Sequence, residues 1–471
     1  MADNPWVSIV QDVRSSPRDT FVKRRQRMQR LMAEAGLDRA ILASGLPQPR
    51  NFAHNLYPFR ASSHFLYLVG EPLEAAVLSV GPDHATLYID PPDPNASLWT
   101  GAQPTLGELA DRLTVDVRPL DELEPGVETA CAPPADALTT WWLSELLDRS
   151  LEPAHGAPQS EPDARLAAVL IGLRLQHDAA AIEQMRQAGA VTRQAHAAAM
   201  RALRHAKTEF ELLAVMETEI RRHGMVCAYQ PIVTCHGEVL HNESYANTLA
   251  PGDLLLADVG AETREGWAAD ITRTWPVAGR FSSTQRDVYE VVLESQRAAF
   301  DQIRPGVRYR DVHLTALGVV THGLSQLGIL RGSEEQLLRA GAAAVFFPHG
   351  VGHLLGLDVH DMEDLGDAAG YQDGRQRDTD PTTRYLRLDR DLTPGMVVTI
   401  EPGFYQVPGL LAAAQADPVL SRLIDFDRLA DFQDVRGIRI EDDVLVTQEG
   451  FEVLSEGLPR SVADVEAVCH G

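Results

Sequence analysis

Four acidic residues lie in or at the ends of otherwise apolar, strand-like runs, and this limits what the chain can fold into. Asp258 interrupts Asp253–Val259 (DLLLADV), and Asp270 lies within Trp267–Trp275 (WAADITRTW). Glu401 closes the run Val397–Ile400, and Glu441 falls inside Ile438–Val444 (IRIEDDV). A buried carboxylate without a partner is very costly, so each must be paired with a base, protonated or bound to metal. Arg273 and Arg439 are the cationic partners within reach in sequence, enough for one acid each. Four carboxylates bring −4, which two divalent cations balance. Carboxylates are also the side chains that bridge two ions about 3.5–4 Å apart in hydrolytic sites.

A second chemical signal lies at Phe347–Asp361 (FPHGVGHLLGLDVHD), where His349, His353 and His360 alternate with Gly350, Gly352 and Gly356. Histidine carries protons near neutral pH and is a frequent metal ligand. The spacing excludes two familiar motifs. There is no Glu after the first His as in the zinc-protease helix, and the glycine intervals do not match a dinucleotide-binding turn. The pattern predicts a glycine-rich turn entering an apolar strand, Leu354–Val359. One imidazole beside four carboxylates makes an oxygen-rich donor set that suits Mn²⁺, Co²⁺ or Fe²⁺ and accepts Zn²⁺.

Other classes of function are excluded by charge and cysteine usage. The net charge is 42 − 67 = −25, which repels nucleic acid and anionic membrane. Cys131, Cys227, Cys235 and Cys469 form no CxxC pair, so neither a disulfide framework nor a thiolate zinc site is expected. No apolar run reaches the ~18 residues of a transmembrane helix. The first residues lack a basic-then-apolar leader, and the expectation is a cytoplasmic protein.

At 471 residues two domains are expected. The first, residues 1–165, reads as an α/β domain. It has a helix over Thr20–Gly36, strands at Ala40–Ala43, Phe65–Val69, Ala75–Val80 and Ala85–Ile89, and helices at Leu106–Leu113 and Ala137–Leu147. The Pro-, Gly- and Ser-containing stretch Ser150–Pro162 reads as a linker. In residues 166–471, helices over Ala179–Leu203 and Glu209–His223 precede the acid-bearing strands. Helices over Thr284–Ile303 and Asp311–Leu327 cover the sheet, and Asp364–Thr383 and Pro408–Gln433 read as irregular insertions.

Five stretches in this order carry a family resemblance: Leu240-His-Asn, ADVG through AADITRTW, HGVGHLLGLDVHD, TIEPGFY and GIRIEDDV. The chain resembles the pita-bread metallopeptidases, in the branch of aminopeptidase P and prolidase (Xaa-Pro dipeptidase). YPFRASSHFLYLVG is similar to that branch's amino-terminal domain, which methionine aminopeptidases lack. The resemblance implies an α/β amino-terminal domain with a mixed sheet and a carboxy-terminal pita-bread domain. It implies that Asp258, Asp270, His353, Glu401 and Glu441 bind two divalent ions, most simply Mn²⁺, with Asp270 and Glu441 bridging. His241, His349 and His360 match histidines around the substrate, and Arg439 matches an arginine behind the ligands.

The implied reaction is hydrolysis of the Xaa-Pro bond at a peptide's amino terminus. Glu401 handles the water's proton, His241 stabilises the oxyanion, and His360 or His349 assists the leaving nitrogen. Arg387 matches the prolidase arginine that takes a substrate's free carboxylate, which favours Xaa-Pro dipeptides; the alternative is aminopeptidase P action on longer peptides. Two metal-free readings, a peptide-binding relative and a creatinase-like hydrolase, conflict with the complete ligand set. Family members associate as homodimers or homotetramers. One departure stands out. Asp258 and Asp270 are twelve residues apart, one more than the family pattern, and the polar turn Ala261–Gly266 is expected to absorb the extra residue.

Overall fold

A computed structural model describes residues 15–470, apart from Pro94, Ala96, Val127 and residues 154–159. The middle of the expected linker and the first fourteen residues thus lie outside the described residues. The chain divides into two compact units. One comprises Ser15–Gln176 together with Met362–Ala369; the other holds His177–Asp361 and the chain from Gly370 onward.

The amino-terminal unit is built on a mixed five-stranded sheet. Its strands are β1 (Ala40–Ala43), β2 (Val77–Val80), β3 (Ala85–Tyr88), β4 (Asp116–Arg118) and β5 (Ala130–Cys131), in the order β4-β3-β2-β1-β5. β1 is antiparallel to β2 and parallel to β5. Ile41, Val77, Leu143 and Leu147 form part of a buried cluster on this sheet. The helix Arg18–Glu34 carries two arginines that are buried rather than solvated. Arg25 donates to the carbonyls of Leu68, Leu113 and Thr114, at the carboxyl ends of the helices Ser63–Val69 and Leu106–Leu113. A cation there meets the negative ends of both helix dipoles.

Phe65–Val69, expected as a strand, is helical. Every residue of Ser63–Val69 is buried, and the helix closes at Gly70 in the left-handed conformation (φ 83°). A short, wholly apolar run fits a buried helix as well as a buried strand. Gly70 suits the helical end, because a glycine takes the left-handed cap without Cβ strain, and a Cβ there would also lie 2.2 Å from the Phe21 ring.

In the second unit, the paired helices Ala179–Ala202 and Glu209–Arg222 start at the side-chain caps Asp178 and Thr208. β6 (Val226–Cys227), β7 (Ile232–Thr234), β8 (Leu254–Asp258), β9 (Ala261–Glu262) and β10 (Thr272–Pro276) follow. β10-β8-β7 form one antiparallel sheet, and β6 pairs with β9. After the helices Ser283–Gln302 and Tyr309–Gln326 come β11 (Val397–Ile400), β12 (Gly403–Tyr405), β13 (Gly437–Arg439), β14 (Asp442–Val446) and β15 (Phe451–Val453). β11-β14-β15 form a sheet, while β12 pairs with β13. The helix Ser283–Gln302 packs on β11, β12 and β13.

Three further expectations change. Leu354–Val359 is not a strand. Leu354 makes one bridge to Val398, and the chain then folds back so that the Asp361 N–H donates to the Leu354 carbonyl (3.1 Å). Asp361 also accepts the Asp358 N–H (3.1 Å), closing the loop. Within Trp267–Trp275, regular strand begins only at Thr272. The insertion Pro408–Gln433 is helical, with helices at Pro408–Ala416, Leu420–Leu423 and Phe426–Leu429. Its prolines suggest breaks, but Pro408 occupies the first helical turn, where a missing N–H costs nothing.

Candidate active site

The hairpin β8–β10 places the first two acids. Asp258 stands opposite Thr272. Beyond it, the Val259 N–H donates to the Ile271 carbonyl, Ala269 to Ala261 and Thr263 to Trp267. Each pair keeps the same register, so no bulge forms, and the extra residue is taken up in the tip, Arg264–Gly266. Gly260 therefore lies opposite Asp270, and a Cβ there would be 1.8 Å from the Ala269 carbonyl. Asp258 and Gly260 are two apart, so Asp258 and Asp270 project from the same face.

Glu401 ends β11, where Pro402 stops the ladder; its N–H donates to the Val351 carbonyl (2.8 Å). Glu441 occupies the break between β13 and β14, and its N–H donates to the Thr272 carbonyl (3.0 Å). Because side chains alternate, its neighbour Asp442 points away. Asp442 pairs with fully buried Arg273 at 2.7 Å. Arg273, considered from the sequence as a partner for the four acids, is thus engaged on the opposite face. Arg439 is the guanidinium at the site. Its Nη2 lies 2.5 Å from Asp258 Oδ2, its Nε donates to Thr272 Oγ1 and its Nη1 to the Tyr405 hydroxyl, both at 3.0 Å.

His353 is oriented by its backbone and by its own ring. Its N–H donates to Thr399 Oγ1, and the Thr399 N–H returns a bond to its carbonyl. Nδ1 lies 3.0 Å from the Leu354 carbonyl, which places the ring proton there and leaves the Nε2 lone pair facing the acids. That Nε2 is 3.4 Å from Asp270 Oδ2 and 3.7 Å from Glu401 Oε1. The backbone runs tight against β11. A Cβ on Gly352 (φ 157°) would lie 2.1 Å from the Thr399 carbonyl and 2.3 Å from the Tyr309 hydroxyl.

All ten residues singled out from the sequence line one cavity of about 370 Å³: His241, Asp258, Asp270, His349, His353, His360, Arg387, Glu401, Arg439 and Glu441. The histidines differ in setting. His241 is exposed, while His360 stands edge-on to His353 with ring centres 4.3 Å apart. His349 Nδ1 lies 2.8 Å from the Gly350 carbonyl, and Nε2 lies 2.9 Å from the Tyr405 hydroxyl. Arg439 donates to the same hydroxyl, so the phenol proton goes to His349, whose imidazole is neutral. Burial pushes His349 down to about 3, aided by the charge of Arg439; burial, with His353 and Arg387, pushes His360 down to about 2.

Tyr229, Thr272, Tyr405, Asp443, Arg377 and Tyr385 are site residues that sequence reasoning missed. The Tyr229 hydroxyl is 2.6 Å from Asp258 Oδ1 and equally from Asp270 Oδ1. Thr272 Oγ1 donates to Glu441 Oε2 (2.7 Å), and the Asp270 N–H points at both oxygens of Asp443, at 3.2 and 3.1 Å. Arg377 and Tyr385 join the cavity wall. A tyrosine just before a short strand, or a threonine inside one, gives no periodic signal that marks it out.

These residues fit divalent metal. Ligand atoms of Asp270, His353 and Glu441 all lie within 4.8 Å of one another, and all three residues are buried. Donors about 2.0–2.2 Å from a shared ion stand roughly 3–3.5 Å apart, as Asp270 and His353 do. Without cations the acids repel their own charge. Burial raises Glu441 well above the carboxylate range, reinforced by Asp270 and Glu401, and it raises Asp258 and pushes Glu401 up to about 7. One phenol proton serves only one of the two carboxylates at Tyr229, and Arg439 meets Asp258 from the other side.

Residues 183–448 match metallopeptidase family M24, and residues 21–137 match the aminopeptidase P N-terminal domain. The "Probable Xaa-Pro aminopeptidase pepP" of Emericella nidulans is 33% identical over 423 residues, 87% of this chain and 88% of that protein. The counterpart in Talaromyces marneffei is 36% identical over 429 residues, 88% of each chain. Among solved structures, Pseudomonas aeruginosa aminopeptidase PepP superposes with a TM-score of 0.77 at 28% identity, over 97% of this chain and 98% of that one. Zn-substituted Escherichia coli aminopeptidase P in complex with product gives 0.77 at 27%, over 97% and 99%.

Proposed function

We propose that this chain, which belongs to metallopeptidase family M24, is a two-metal Xaa-Pro aminopeptidase that removes the first residue from peptides with proline in second place. The observation that carries this reading is the convergence of four carboxylates and one oriented imidazole in a single cavity with three further histidines. The relatives it matches over most of its length are named Xaa-Pro aminopeptidases, which favours peptides longer than two residues over the dipeptide preference expected from Arg387.

Asp258, Asp270, His353, Glu401 and Glu441 would hold the ions. Two divalent ions there supply the Lewis acidity that lowers the pKa of water and polarises the carbonyl before proline. Mn²⁺ or Co²⁺ suits the oxygen-rich set with one imidazole better than Mg²⁺ does. Glu401 takes the proton of the attacking water and passes it on. His241 donates to the oxyanion as the tetrahedral centre forms. His360 or His349 assists the departing proline nitrogen. Arg439 holds Asp258 and, through Thr272 and Tyr405, ties the ligand set to the histidines.

A second reading has one observation in its favour. Arg387, partly buried, lines the cavity together with Arg377, and a guanidinium holds a free carboxylate with two parallel hydrogen bonds. A carboxylate directly on the proline would make Xaa-Pro dipeptides the substrates. Rates on Ala-Pro and Ala-Pro-Ala decide between the two. The aminopeptidase reading expects faster cleavage of Ala-Pro-Ala, with Arg387→Ala nearly silent on it. Preference for Ala-Pro, with Arg387→Ala raising its KM roughly ten- to a hundredfold, would establish the dipeptidase instead.

A further inference from the structure

An enzyme that removes one residue holds only that residue ahead of the scissile bond. Every added residue of a longer substrate therefore extends on the carboxyl side. Beside the catalytic cavity of about 370 Å³ opens a second groove of about 800 Å³, and Pro348 and Tyr385 belong to the walls of both. Pro348 directly precedes His349, whose Nδ1 lies 3.7 Å from Glu401 Oε2, so the groove begins next to the catalytic acids.

The groove is built by the helices Glu334–Ala340, Pro408–Ala416 and Leu420–Leu423, two of them from the insertion after Glu401. Its apolar wall includes Ala344, Val345, Leu410, Ala413, Val419 and Leu420. Val419 is 55% exposed, as is Tyr385. The charged groups are Arg339, Arg384 and Asp417, two cations against one anion. The Arg384 guanidinium lies over the Tyr385 ring at 4.7 Å. An open apolar groove that shares two wall residues with an active site and carries two cations against one anion fits an uncharged or anionic peptide segment better than a cationic one.

We propose that this groove binds the substrate residues beyond the proline and selects peptides with apolar third and fourth residues, against basic ones. The proposal rests on the aminopeptidase reading above. The full chain with Mn²⁺ is assayed on Ala-Pro-Leu-Leu, Ala-Pro-Gly-Gly and Ala-Pro-Lys-Lys, with Ala-Pro-Ala and Leu-Pro-Gly-Gly as references. The expected kcat/KM for the Leu-Leu tail is about tenfold or more above the Gly-Gly tail, mainly through KM, with Lys-Lys lowest. Ala413→Glu and Val419→Asp, both at exposed positions, are expected to remove the Leu-Leu advantage over the Gly-Gly tail. Equal rates for the three tails, or a Leu-Leu advantage that survives both substitutions, would overturn the proposal. So would an effect confined to Leu-Pro against Ala-Pro, which would give the groove to the first side chain. Cleavage of Ala-Pro alone, with every longer peptide inert, would overturn the aminopeptidase reading as well, and so is distinct from tail-indifferent cleavage.

Discussion

At Tyr229 one phenol stands 2.6 Å from oxygens of two buried carboxylates. Groups behind metal ligands typically change affinity ten- to a hundredfold when removed. Tyr229→Phe is expected to fold normally and to bind Mn²⁺ more weakly by about that factor, as calorimetric titration reads. Asp270→Asn and Glu441→Gln take the charge from two of the proposed ligands, and hydrolysis should fall at least about a hundredfold, with less metal per chain by elemental analysis. Wild-type turnover in either variant contradicts the assignment. The acids and histidines were legible in the sequence because a charge in an apolar strand, or a cluster of imidazoles, breaks a pattern. Tyr229 and Tyr405 were not, since an aromatic beside a strand is ordinary core chemistry and only the fold brings its hydroxyl to a carboxylate.

Elements were legible where a period ran long enough. The helices over 179–202, 209–222, 283–302 and 309–326 fall within two residues of their expected ends. Short apolar runs were not: Ser63–Val69 is a helix and Leu354–Val359 a loop, and runs this short carry too few residues for a period to tell the two apart. The loop leaving the histidine stretch also enters the amino-terminal unit, where Asp364 Oδ2 lies 3.0 Å from His64 Nε2 and Arg174 Nη1 lies 2.8 Å from His64 Nδ1. Burial works to raise the Asp364 carboxyl, but the His64 imidazole and the Arg174 guanidinium hold it down to about 2. Its folded pKa therefore lies below the unfolded value of 3.8. The ionised carboxylate adds stability that is present above about pH 4 and lost as pH falls through about 2. Asp364→Asn is expected to melt below wild type at pH 7, with the gap closing near pH 2. Equal melting temperatures at pH 7 would remove this role for Asp364.

Across the whole molecule the net charge is −25, and the four acids gathered in one cavity add a local repulsion that cations at the site would relieve. The two-domain α/β architecture was legible from chain length and from the order of the five motifs. The helical groove after Glu401 was not, because prolines at helix starts read as breaks. The central claim, a divalent-metal Xaa-Pro aminopeptidase, is tested most directly by the rate of Ala-Pro-Ala hydrolysis after exhaustive chelation and then after metal is restored. The account predicts that activity is abolished with the metal and returns with Mn²⁺ or Co²⁺ more fully than with Mg²⁺. Full hydrolysis by protein in which elemental analysis detects no metal would contradict it.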